Sequence, residues 1–163
     1  MNKLKVFISD DSATVRERLV TVALDLPEIA VVGQAQDVPG SLDAIRQTRP
    51  DVVILDIRMP GGNGIQVLRE VKKMNPAPRV IMLTNYAYAQ YRKECEEAGA
   101  DFFLDKSTEF DKLPQALEQV RQGLRAEAGL MEGSGENAGA PTLPGAPTQD
   151  EGSPFEGNRR VTG

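Results

Sequence analysis

Four apolar runs in this chain end on residues that can do chemistry. "LKVFIS" (4–9) leads into Asp10 and Asp11, "VVIL" (52–55) into Asp56, and "RVIML" (79–83) into Thr84. "DFFLD" (101–105) leads into Lys106. Each residue alone has a plain explanation. Asp56 could be a solvent-facing strand end, Asp10 and Asp11 could cap a helix, and Lys106 could be an ordinary surface lysine. An isolated buried carboxylate is costly, so a strand that ends on one needs a reason. Brought together, three carboxylates repel unless a proton or a cation sits among them. Oxygen donors without His or Cys suit a hard cation, and Mg²⁺ keeping several waters is the natural choice. Thr84 and Lys106 would add a hydroxyl and an ammonium for an anionic group. A phosphoryl group on Asp56 would satisfy all five residues.

The elements that must position these residues are legible as two alternating periods. Strands are expected at 4–9, 29–35, 52–56, 79–84 and 101–106. Their near-continuous apolar character predicts burial on both faces, as in a parallel sheet. Helical spacing links Val15, Leu19, Val22 and Leu26, then Leu42 and Ile45 after Pro39. It links Ile65 and Leu68, with Val71 and Met74, in a third helix that stops before Pro76. A fourth stripe, Tyr88, Tyr91, Cys95 and Ala98, ends at Gly99, and a fifth joins Phe110, Leu113, Leu117, Val120 and Leu124. Five strand–helix pairs predict an α/β fold, a doubly wound five-stranded parallel sheet joined by right-handed crossovers. Ligands bind such sheets beyond the carboxyl ends of the strands, where the candidate residues fall.

Other features have blander readings. "GGNG" (61–64) lacks the spacing and lysine of a phosphate loop and reads as a tight turn before the third helix. Tyr88, Tyr91 and Cys95 read as core-facing or half-buried, with Tyr86 the better candidate for exposure near the site.

Composition narrows the class. The 163 residues include 40% apolar and 26% charged residues, one cysteine and no histidine. That suffices for one ordinary domain. A net charge of −5 argues against a nucleic-acid surface, which needs a basic face. Without histidine there is no His-activated nucleophile, no His-ligated zinc and no phosphohistidine on this chain. One cysteine excludes an intramolecular disulfide and fits a reducing cytoplasm. "MNKLKVFISDD" is too short for a signal-peptide core, and no run approaches membrane-spanning length, so a cytoplasmic protein without membrane contact is expected. Residues 126–163 contain eight Gly and four Pro and carry most of the acidity. The domain is therefore expected at 1–125, followed by a Gly/Pro-rich acidic disordered tail at 126–163. "SPFEGNRRV" within it reads as a solvated end before it reads as a docking motif.

Together, "SDDSATVRERL", "VVILDIRMPGGNG", "VIMLTN" and "FFLDKS" resemble the receiver domain of two-component response regulators, the CheY-like family, over about residues 3–124. The resemblance implies a flavodoxin-like (βα)5 fold with strand order 2-1-3-4-5, and a stand-alone signalling switch. It implies that Asp56 is the phosphoacceptor, loaded from the phosphohistidine of a sensor histidine kinase or phosphotransfer protein. It implies Mg²⁺ held by Asp10, Asp11, Asp56 and the Arg58 backbone carbonyl. Lys106 would pair with the phosphoryl oxygens, Thr84 and Phe103 would form the switch, and Arg58 and Tyr86 would tune phosphoryl lifetime. The chemistry is self-directed, so no enzyme acting on a separate substrate is expected, and output would pass to an unknown protein target. Two departures stand out: Phe103 has no hydroxyl where Tyr is frequent, and Ser107 replaces the proline that often follows the lysine with a cis bond. A phosphatase of the haloacid-dehalogenase type would place Asp-x-Asp directly after the first strand, which "SDDSATV" does not. The chain could also be a phosphorylation-independent adaptor, against which the complete five-residue site counts, or a fragment of a longer regulator.

Overall fold

The computed structural model describes residues 3–136. Five parallel strands form one sheet: β1 (Leu4–Ser9), β2 (Ile29–Ala35), β3 (Val52–Leu55), β4 (Arg79–Thr84) and β5 (Phe102–Asp105), in the order β2-β1-β3-β4-β5. The expected α/β architecture and strand order are both present. A two-residue antiparallel ladder, Arg58–Met59 with Gly62–Asn63, stands apart from it. The helices are α1 (Ala13–Leu24), α2 (Val38–Thr48), α3 (Gly64–Val71), α4 (Ala89–Glu97) and α5 (Leu113–Glu136), the last preceded by a 3₁₀ turn at Phe110–Lys112.

Side-chain alternation along the strands divides the core. Phe7, Val53, Leu55, Val80, Met82 and Phe103 cluster with Ile45 of α2, Leu68 of α3 and Cys95 of α4. Their strand neighbours Val6, Ile8, Ile54 and Ile81 are buried and point to the opposite face. β1, β3 and β4 are buried at nearly every position, as a central parallel strand must be. β2 is half-exposed because it pairs with β1 alone and forms an edge. Between Val6 and Phe7 the β1–β2 register slips, and Phe7 comes to lie against Gly33. A Cβ on Gly33 would stand 2.7 Å from the Phe7 ring, so the close approach requires glycine.

Local signals start the helices. Ser12, and neither aspartate before it, caps α1, its hydroxyl accepting from the Val15 N–H at 3.2 Å. Asn63 caps α3 in a reciprocal box with Gln66.

The chain divides into two units at Arg121–Gln122, within α5. Residues 126–136, which composition assigns to the tail, are described as the last part of α5, which runs to Glu136. Ala126, Glu127, Ala128, Leu130 and Met131 are good helix formers. Composition averaged over the whole segment hides them among its glycines and prolines. Residues 137–163, including "SPFEGNRRV", lie outside the described residues. No helix among the described residues is long and apolar enough to cross a membrane.

Candidate functional site

The strand register sets the site. Ser9 pairs with Leu55, so Asp10 and Asp56 leave adjacent central strands at one level, and the Asp56 N–H donates to the Ser9 carbonyl at 3.0 Å. Thr84 closes β4 and pairs with Asp105, and the Lys106 N–H donates to the Thr84 carbonyl at 2.8 Å. All five residues singled out by type therefore fall at the carboxyl ends of β1, β3, β4 and β5.

Asp10 and Asp56 are only 1% and 5% exposed, whereas Asp11 is exposed. Lys106 bridges the two buried acids, its Nζ donating to Asp10 Oδ2 at 2.7 Å and Asp56 Oδ2 at 2.9 Å. The other oxygens are also used: Asp10 Oδ1 accepts the Ser12 N–H at 2.9 Å, and Asp56 Oδ1 accepts the Ile57 N–H at 2.7 Å. Burial pushes the Asp10 carboxyl above its ordinary value, against the opposing pull of Lys106 and the Ser12 amide. Burial alone would depress the Lys106 ammonium, but its bonds to Asp10 and Asp56 outweigh that and hold it above its usual range.

Carboxylate oxygens of Asp10, Asp11 and Asp56 lie within 4.8 Å of one another. One ammonium does not balance three carboxylates, so the crevice keeps a formal excess of negative charge. An all-oxygen, anionic donor set of this size fits a hard divalent cation such as Mg²⁺.

Thr84 is fully buried, and its Oγ1 accepts the Tyr86 N–H at 3.0 Å. Arg58, exposed on the short ladder, stacks its guanidinium on the Tyr86 ring at 4.3 Å from the centroid. Tyr86 is thus half-buried, and Tyr88, expected to be core-facing or half-buried, is instead 56% exposed. Tyr88 is the N-cap of α4, where the chain has not yet entered helical geometry, so the inward stripe begins only at Tyr91 and Cys95. Phe103 is 7% exposed, and the Arg92 guanidinium lies 4.6 Å from its ring centroid and donates to its carbonyl at 3.3 Å. The Lys106–Ser107 peptide is trans; the cis bond among the described residues is Asn75–Pro76. Ser107 donates instead to Asp105 Oδ1, from its N–H at 2.9 Å and its hydroxyl at 2.7 Å.

Three contributions go beyond the residues that the sequence singles out. The Arg16 guanidinium donates to the Asp10 carbonyl at 2.6 Å. Asp105 organises the turn behind Lys106, and Gly64 lies so close to the Asp56 carbonyl that any Cβ would overlap it. The last glycine of "GGNG" could have flagged a close approach; nothing in "TVRER" distinguishes Arg16 from Arg18.

A family model described as the response regulator receiver domain matches residues 6–118. The chain is 35% identical over 133 residues to the DNA-binding transcriptional activator DevR/DosR of Mycobacterium tuberculosis, covering 78% of this chain and 61% of that protein. It is 39% identical over 121 residues to a protein-glutamate methylesterase/protein-glutamine glutaminase of Carboxydothermus hydrogenoformans, covering 73% of this chain and 35% of that one. The chain thus spans between about a third and three fifths of the length of these relatives. Among solved structures it is similar to the signal receiver domain of the putative response regulator NarL from M. tuberculosis, with a TM-score of 0.70, 29% identity, and coverage of 76% of this chain and 99% of that one. It is likewise similar to the response regulator domain of Thermotoga maritima CheB, with a TM-score of 0.66, 33% identity, and coverage of 74% and 96%. The matched residues contain the whole crevice from Asp10 to Lys106, and the chain belongs to the response regulator receiver domain family.

Proposed function

We propose that this chain is a phosphorylation-controlled signalling switch of a two-component system, with Asp56 as its phosphoacceptor. The observation that carries the proposal is a nearly buried Asp56 facing two further acids and held by the Lys106 ammonium at 2.9 Å. A carboxylate oxygen of Asp56 forms the new O–P bond while the N–P bond of a donor phosphohistidine breaks, its electron pair returning to the imidazole nitrogen. With no histidine here, the donor is a partner, a sensor histidine kinase or a phosphotransfer protein. Asp10, Asp11, Asp56 and the Arg58 carbonyl would hold Mg²⁺, which when bound neutralises the carboxylates and the phosphoryl oxygens. Lys106 is already placed to pair with those oxygens once they arrive, and Thr84 offers a hydroxyl from the neighbouring strand end. Positioning and charge neutralisation are what phosphoryl transfer demands of a protein.

Output passes by protein contact, Phe103 and Thr84 being the switching pair. The partner is a cytoplasmic protein, and a net charge of −5 favours protein over nucleic acid, although relatives such as DevR/DosR are DNA-binding. Incubation with acetyl phosphate and Mg²⁺ followed by intact-mass measurement tests the acceptor. The wild type should gain one phosphoryl group and Asp56→Asn none. A wild type that gains nothing from acetyl phosphate or any phosphohistidine donor overturns the reading.

A further inference from the structure

We infer that Arg16 is a positioning residue for the cation site: its guanidinium fixes the Asp10–Asp11 peptide and so the convergence of the three carboxylates. The inference rests on reading that cluster as a Mg²⁺ site.

β1 ends at Ser9, so Asp10 is the first residue beyond the ladder. Its N–H still reaches the sheet, donating to the Ala35 carbonyl at 3.1 Å. Its side chain is committed on both oxygens, to Lys106 and to the Ser12 N–H. Its carbonyl accepts from Arg16 Nη1 at 2.6 Å, reached from the first turns of α1. A bond with a charged donor is about twice as strong as a neutral one.

That carbonyl and the Asp11 N–H share one planar peptide unit. Holding the carbonyl fixes the plane from which Asp11 departs. Asp11 is the exposed member of the cluster, and a free surface aspartate facing two like charges would turn to water. One of its carboxylate oxygens nonetheless lies within 4.8 Å of an oxygen from each of Asp10 and Asp56.

Two other roles for Arg16 make different predictions. As a bare positive charge, Arg16 would repel a divalent cation and its removal would tighten binding. As core packing, it would matter to the fold. Yet it is only partly buried and borders, with Gln34, Ala35 and Gln36, a surface cleft of about 230 Å³. Acting through the carbonyl, its removal loosens cation binding, the opposite sign to the charge effect.

Mn²⁺ binding to the full chain, followed by electron paramagnetic resonance of free Mn²⁺, decides between them. Circular dichroism confirms the fold of each variant. Arg16→Ala should raise the Mn²⁺ dissociation constant about tenfold, the scale of losses when a partner of a metal ligand is removed. Arg16→Lys, which keeps one donor, should lie closer to the wild type. The half-saturating Mg²⁺ concentration for acetyl phosphate labelling should rise in the same order. Wild-type or tighter Mn²⁺ binding by Arg16→Ala overturns the inference, as does an Arg16→Lys variant that binds no better than Arg16→Ala. A wild type that binds no Mn²⁺ overturns it together with the metal reading. Mn²⁺ binding by wild type and variants in the expected order, with no phosphoryl group taken by the wild type, leaves this inference standing while the phosphoacceptor reading falls.

Discussion

Lys106 is the residue on which the crevice balances. It bridges Asp10 and Asp56 at 2.7 and 2.9 Å in a part-buried site. Removing one partner of a buried ion pair costs about 3–5 kcal/mol, because the charge left behind is unsolvated. Lys106→Met should therefore lose stability, by less than that full scale because the site is part-buried, measured by urea denaturation in EDTA, and Mg²⁺ should recover part of it. At the mouth, Arg58 and Tyr86 are one stacked unit, and substitutions in contact do not add. Arg58→Ala and Tyr86→Ala should each change the dephosphorylation rate. A double-mutant cycle should return a coupling of about 0.5–1 kcal/mol, the range of an exposed cation–π pair. A coupling of zero would show that the two side chains act separately.

Among the elements, the turn into α3 and the buried face of α4 make the clearest demands. Gly64 N–H donates to the Ile57 carbonyl at 2.6 Å, and its Cα is packed on the Asp56 carbonyl. Gly64→Ala forces one of these backbones to move. It should cost about 1–3 kcal/mol, as overpacking does, and lower phosphoryl uptake together with stability. On α4, Cys95 is fully buried, and burial first, then the Glu94 charge, pushes its thiol up from the ordinary 9.0 to about 11. The folded state therefore binds this proton more tightly than the unfolded chain does. Its contribution is fully present below about pH 9 and is lost as pH rises toward 11. Cys95 should resist iodoacetamide in the native protein at pH 8 and react on unfolding. Cys95→Ala should show a shallower loss of stability between pH 9 and 11.

At the scale of the whole molecule, the crevice stores like charge that a cation relieves. A ligand at ten times its dissociation constant stabilises by about 1.4 kcal/mol, worth a few degrees of melting temperature for a domain of this size. Mg²⁺ should raise the melting temperature by that amount, and EDTA should reverse it. Asp11→Asn should melt higher than the wild type in EDTA, with one repelling charge gone, and gain little from Mg²⁺. The five strands and the five chemistry-bearing residues are legible in the sequence because apolar runs and their terminating polar residues are local and share one strand end. Strand order is implied by the resemblance to receiver domains and not by the apolar runs, which do not say which strands are neighbours. Exposure of Tyr88 is not legible, since the helical stripe does not say where the helix begins. Helix at 126–136 is hidden because composition averages over good helix formers and breakers alike. Sequence alone thus determined which groups stand at the strand ends and that they are anionic, hydroxylic and cationic in kind. Only the tertiary structure decided that Lys106 bridges the two buried acids, that Arg16 holds the Asp10 carbonyl and that Gly64 abuts Asp56. Those contacts join residues distant in the chain or depend on backbone direction, and no local period encodes either.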